Sequence, residues 1–277
     1  MAIDLSDSED RLTRAEKLLT ELNNEIHAYA ASNPISIDLV PYDGMITSIS
    51  ESGELILTPD PYGQTDKEDF LVLRASIVNN QPTQINIILG DIVNNIKTCY
   101  DYIAQSIGKA IGMSQRELRK VQYPSTKSES DVDSEIQKYF KNYVSFDEVK
   151  KIKITEPYFN GRYNIKEITE LCNLNKHRKP ISFISCAGGF PVVLGNSLSI
   201  GDVTLGIDPI IGYADIIQIH KNSQKLVKYT QPQIKVSIDF RKINVTTDQF
   251  DTPAYDYISQ SITHAKNVIK IFKRPLE

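Results

Sequence analysis

Apolar residues recur at alternating intervals of three and four along four stretches of this chain, and alternate with polar residues along several others. Leu12, Ala15, Leu19, Leu22, Ile26 and Tyr29 fall on one stripe and predict an amphipathic helix over about 6–31. Ser6 and Glu9 stand at capping-box spacing before it, and Asn33-Pro34 ends it, because the residue preceding proline is pushed out of the α region. Leu89, Ile92, Ile96, Cys99, Ile103 and Ala110 predict a second long helix over about 83–112. Ile165, Ile168, Cys172 and Asn175 share a face of a third, over 163–177. Ile258, Ile262, Ala265, Ile269 and Phe272 mark a last one over 253–273, with Thr252 as N-cap and Pro253 at the first helical position. Shorter helical pieces are expected over 133–140 and 146–151.

Between the first two helices, 35–40, 45–50, 54–58 and 70–78 carry β-branched or alternating apolar residues, with Asp43-Gly44 and Ser52-Gly53 as turn signals. This predicts an inserted antiparallel meander within a β-rich stretch over 35–78. A second β-dominated stretch covers 181–245, where Val236, Ile238 and Phe240 alternate with Lys235, Ser237 and Asp239. Gly188-Gly189 reads as a hairpin or bulge, and the polar run 120–135 as a loop. The fold class is therefore α+β: an antiparallel helical hairpin or bundle core with inserted and C-terminal antiparallel β-sheet. Two long apolar stripes pack best on each other, each buried Leu or Ile contributing about 1.5–3 kcal/mol. With no internal repeat and no linker, 1–277 reads as a single intertwined domain.

Composition narrows the class of protein. Hydrophobic residues at 40% and charged residues at 24% are ordinary globular values, and a net charge of −4 gives no general electrostatic reason to bind nucleic acid or anionic membranes. Cys99, Cys172 and Cys186 are an odd number at unpatterned spacings, which argues for a reducing compartment over a disulfide framework. Met1 to Asp10 is acidic and lacks the apolar core of a signal peptide, and no apolar run reaches the roughly 18 residues of a membrane span. A soluble, cytoplasmic protein without membrane association is expected.

Two clusters could carry chemistry. Asn94, Lys97 and Asp101, with Asn95 beside them, place a cation and a carboxylate on one face of the second helix. One reading is a polar site, Lys97 holding an anion and Asp101 orienting a partner. The other is an i,i+4 ion pair closing the edge of the core, which is the commoner case. Asn175, Lys176, His177 and Arg178 end the third helix, where positive groups complement the helix dipole without any ligand. In a functional reading His177 is a general base or anion ligand, and Lys176 and Arg178 grip phosphate. Asn175 lies on the apolar stripe, so its amide needs partners.

These pieces form an ordered layout: Arg14-Ala15-Glu16 through Ile26, Leu89-Gly90-Asp91 leading to Asn95 and Asp101, Tyr123-Pro124, Pro157-Tyr158, and Asn175 to Arg178. Over about 11–181 it resembles a family of uncharacterised bacterial and phage proteins. Many members carry an arginine and, five positions on, a histidine in the second helix. That is similar to the HEPN superfamily of helical proteins, which includes metal-independent ribonucleases. The resemblance implies a helical core that pairs into homodimers. Here the matching positions hold Lys97 and Tyr102, so the nuclease motif itself is absent. Tyrosine and lysine ionise near 10, far from the working range of a general base.

Other chemistry is weaker. The histidines at 27, 177, 220 and 264 include no i,i+3 or i,i+4 pair, so no metal site and no cofactor is expected. Lys266, Lys270, Lys273 and Arg274 form a basic edge, read as a solvated face before a partner contact. The reading is a non-catalytic binding or assembly protein. The alternative is a HEPN-like ribonuclease or phosphoryl-transfer relative acting on RNA, with His177 and Asp101 as catalytic candidates.

Overall fold

A computed structural model describes residues 3–42, 45–49, 55–59, 69–141, 145–177, 183–194, 198–207, 212–229, 233–238 and 253–274. The fold is α+β. Seven α-helices are described: α1 (Ser6–Ala31), α2 (Thr83–Ala110), α3 (Gln115–Leu118), α4 (Val132–Phe140), α5 (Phe146–Ile154), α6 (Ile165–His177) and α7 (Ala254–Lys273). Nine strands accompany them: β1 (Ile35–Pro41), β2 (Met45–Ile49), β3 (Leu55–Pro59), β4 (Phe70–Ile77), β5 (Phe183–Leu194), β6 (Leu198–Ile207), β7 (Tyr213–His220), β8 (Val227–Tyr229) and β9 (Gln233–Ile238). No helix among the described residues is long and apolar enough to cross a membrane.

Where the sequence reads as one intertwined domain, contacts group the chain into two compact units, both discontinuous. A helical unit takes Met1–Asn24, Gln84–Ser182 and Phe240–Glu277, and a sheet unit takes Glu25–Thr83 and Phe183–Asp239. Both β-rich stretches therefore build the same unit.

In the helical unit, α2 is the central element. Ile85, Leu89, Ile92, Ile96, Cys99, Ile103 and Ile107 are fully buried, as are Val93, Tyr100 and Ala104 on the flank. The buried arc covers well over half the helix, wider than the expected stripe. The α1–α2 pairing is antiparallel: Asp4 feels the charge of Lys109, and Arg11 lies over the Tyr102 ring at 5.4 Å. On α1 the seam uses Leu18 where the spacing pointed to Leu19, which is half-buried. Helix α7 runs antiparallel to α1 as well, with Lys273 bonded to Glu9 at 2.6 Å and Lys266 to Glu16. The basic edge of α7 is thus partly an interhelical seam.

Local signals were partly relocated. Ser6 donates to Asp4 and Glu9 pairs with Lys273, so the expected capping box does not form there. It forms at Ser114 and Glu117, which open α3. Pro253 occupies the N-cap of α7, one position earlier than expected, and Thr252 lies outside the described residues. Gly112, at φ 82°, closes α2 while the Met113 N–H reaches back to the Gly108 carbonyl at 3.0 Å. The expected loop over 120–135 contains a 3₁₀ turn at Glu129–Asp131 and the start of α4, with Tyr123, Thr126 and Val132 buried.

The sheet unit departs from a simple meander. Among the described residues β2 and β3 form a two-stranded sheet of their own, while β1 pairs with β4 and β4 with β7, all antiparallel. The turn signals Asp43-Gly44 and Ser52-Gly53 lie outside the described residues. β5 pairs with β6, β8 and β9, and its register with β6 shifts between Ala187 and Phe190, so Gly188-Gly189 marks a bulge. Ile35, Ile37, Leu73, Ala75, Ile207 and Ala214 form the buried core. Arg74 and Asp215 face each other in the β4–β7 register and form a two-pronged pair, Nε to Oδ1 at 2.6 Å and a terminal guanidinium nitrogen to Oδ2 at 3.1 Å. The guanidinium also lies 3.8 Å above the Tyr213 ring.

Charge-assisted bonds of this kind contribute about 1.5–3 kcal/mol. Arg74→Ala is expected to lower the stability of the sheet unit by about that amount in urea denaturation. Arg74→Lys should recover only part, since an ammonium holds neither the fork nor the flat stacking geometry.

Candidate functional site

The helices that carry the two clusters pack along an α2–α6 seam in the helical unit, but Asn175 faces Gly90 and Asn94 faces Cys172, so the seam does not bring Lys97 and Asp101 against the Asn175 end of α6. The helices run antiparallel there. Gly90 faces Asn175, and Asn94 Oδ1 lies 3.8 Å from the Cys172 thiol. A Cβ at position 90 would sit 2.6–2.9 Å from the Asn175 amide group, so glycine is what permits this approach. Burial pushes the Cys172 thiol pKa up, against the opposing pull of Lys176 beside it. This makes the thiol a packed group and no activated nucleophile.

Lys97 and Asp101 form the ion pair that their spacing permits, Nζ to Oδ1 at 2.5 Å. The same Asp101 oxygen accepts the Tyr123 N–H at 3.0 Å. Lys97 is buried and Asp101 partly so. Asn95 points elsewhere: its Nδ2 donates to the Asp91 carbonyl at 2.8 Å, and its Oδ1 is buried without a partner. Tyr102 is held by α1, its hydroxyl accepting from Arg11 at 3.2 Å. His177 is the last helical residue of α6, with its side chain outside the described set, as is all of Arg178.

The aromatic-proline and Pro-Tyr steps converge on this seam. The Thr155 hydroxyl donates to the Ile152 carbonyl at 2.7 Å, so the 2.9 Å contact with Tyr123 is a donation from the phenol. Burial holds the Tyr123 pKa well above the usual phenol value, keeping that proton in place. Thr126 N–H donates to the Pro157 carbonyl at 2.8 Å. The following turn carries Glu156, Asn160 and Asn164 at φ 46–58°, a left-handed conformation that costs non-glycine residues about 1 kcal/mol or more each. Glu167 of α6 anchors it, Oε1 accepting the Asn160 N–H at 2.7 Å, while Oε2 is buried without a partner. Burial raises the Glu167 pKa, and the Asn160 bond only partly offsets that.

A different part of the helical unit holds an open concavity. Met113, Ser114, Arg116, Glu117, Lys120, Lys138, Tyr139 and Lys141 line an open cleft of about 650 Å³ between α3 and α4. Glu117 is its one carboxylate. Oε2 closes the capping box with Ser114, and Oε1 takes Lys141 Nζ at 3.0 Å. These bonds pull its pKa down to about 2. Lys138 pairs with Glu135 at 2.9 Å. Among the described residues, Arg116 and Lys120 have no carboxylate partner. Lys141 ends α4 at φ 52° and ψ −131°, a strained backbone that turns this cation back toward Glu117. Sequence reasoning passed over these residues because they come from two short segments, 113–120 and 138–141, that only the fold brings together. The available signal was Ser114-x-x-Glu117, a capping box with cations at 116 and 120. No group of His, Cys, Asp and Glu among the described residues is arranged to hold a metal ion.

Two substitutions probe the seam. Gly90→Ala should cost about 1–3 kcal/mol through overpacking. Asn175→Ala in the same chain should recover most of it, a non-additivity read by a double-mutant cycle. Glu167→Gln tests the buried carboxyl by pH. Because the folded pKa lies above the ordinary 4.5, the native state holds more protons than the unfolded one over that window. Stability should therefore fall as pH rises from about 4.5 through the raised value, and the glutamine variant should lack that fall in thermal melts. Comparison with protein-family models, curated proteins and solved structures finds no match.

Proposed function

We propose that this chain is a non-catalytic binding or assembly protein whose helical unit offers the α3–α4 cleft to a partner. The carrying observation is the occupation of Asp101: one oxygen accepts both the Lys97 ammonium and the Tyr123 backbone N–H. A carboxylate so engaged anchors the 121–126 segment to α2. General-base work would fall to the second oxygen, Oδ2, of a carboxylate whose position is set by these two structural bonds. Tyr102, at the position matching the histidine of the family the chain resembles, is tied to Arg11 through its hydroxyl. The cleft, by contrast, joins open volume with several side-chain donors, which is the combination binding sites use.

The test is incubation of the purified chain with mixed RNA in the presence of a chelator. The RNA is expected to remain intact, with wild type and His177→Ala alike. Metal-independent cleavage by wild type that disappears in His177→Ala would overturn the proposal and favour the HEPN-like ribonuclease.

A further inference from the structure

We infer that the α3–α4 cleft binds a small phosphate monoester. This deepens the binding proposal and stands on the charges of the cleft. Its lining carries four cations, Arg116, Lys120, Lys138 and Lys141, against one carboxylate. Two of the four are compensated, Lys141 by Glu117 and Lys138 by Glu135. Both oxygens of Glu117 are occupied by Ser114 and Lys141, so this carboxylate is tied down where it would otherwise repel an anion. Arg116, within α3, and Lys120, in the turn just after it, remain, and both line the cleft. Two uncompensated positive charges match the −1.5 to −2 charge of a phosphate monoester near neutral pH. The guanidinium supplies two parallel donors for two phosphate oxygens, and the ammonium a point charge.

Size and walls point to a small molecule. About 650 Å³ lies in the range of small-ligand pockets, and the cations converge on a concavity with no extended basic stripe along the lining. Met113 and Tyr139 add apolar surface for the body of the ester. The Tyr139 hydroxyl donates to Gln122 Oε1 at 3.5 Å, which fixes the ring at the wall of the cleft. Lys141 stands at the edge of the cleft, bonded to Glu117 at 3.0 Å.

The experiment is isothermal titration of the full chain with glucose 6-phosphate, adenosine 5′-monophosphate, inorganic phosphate, adenosine and a single-stranded RNA oligonucleotide lacking terminal phosphates. Saturable binding of at least one monoester is expected, with adenosine silent. Inorganic phosphate should bind at least fivefold more weakly than the better ester. Whichever monoester binds more tightly identifies the source. Arg116→Ala/Lys120→Ala should weaken binding at least tenfold, and so should the separate charge reversal Arg116→Glu. Lys127→Ala, outside the cleft lining, should leave it unchanged. Circular dichroism melts establish that the exposed substitutions leave the fold intact. The inference is overturned if neither monoester binds, if the double variant binds like wild type, or if the oligonucleotide binds while both monoesters fail. Cleavage of RNA in the chelator assay would overturn the non-catalytic proposal and leave this titration independent of it.

Discussion

Burying α2 over most of its surface dictates the rest of the helical unit. A helix half-wrapped by neighbours needs polar residues only on its outer side. Here the buried arc reaches Asn95 and Lys97, and its margins hold Asn94 and Asp101. Unpaired, a buried lysine is costly, so its carboxylate must come from the next turn of the same helix, and that carboxylate must then be held in place. The Tyr123 N–H does so, drawing the 121–126 segment against α2. Thr155 and Pro157 receive that segment in turn. The polar residues most suggestive of catalysis are thereby the ones that close the core.

The same logic explains the strained turn after α5. Three residues in the left-handed region over 156–164 cost energy that their neighbours must offset. Gly161 meets the Glu156 carbonyl so closely that no side chain fits there, and Glu167 caps the Asn160 N–H from within α6. Placing a carboxyl in this position carries its own cost, visible in its raised pKa and unpartnered second oxygen. Strain and desolvation are concentrated where the turn must pass between α5 and α6.

Helix existence and direction were legible in the sequence because burial imposes a 3.6-residue period on one continuous segment. Ile258, Ile262, Ala265, Ile269 and Phe272 are all buried, as their spacing requires. Leu18 displaced Leu19 because a long α1 stripe drifts by a residue without breaking the pattern. Strand existence was legible for the same local reason, whereas partner choice was not. β4 takes β7, with Arg74 and Asp215 separated by 141 positions, and no alternation of side chains encodes that pairing. The capping box is missing at the start of α1 because Ser6 bonds Asp4 two residues back and Glu9 is drawn to Lys273 of α7.

The cleft was illegible for a further reason: its charge is local and the composition is global. A net charge of −4 argues against electrostatic binding only if charges are evenly spread. In the α2–α6 seam Lys97 meets Asp101, and on α6 Lys166 meets Glu170, so these buried cations are paired within the fold. Around α3 and α4 the carboxylates are consumed by capping and by two lysines, leaving cations without counterparts at a concave surface. An anionic ligand would supply the negative charge that no carboxylate among the described residues gives them. The distinction between the two polar regions thus rests on whether the partner of each charge already lies within the fold.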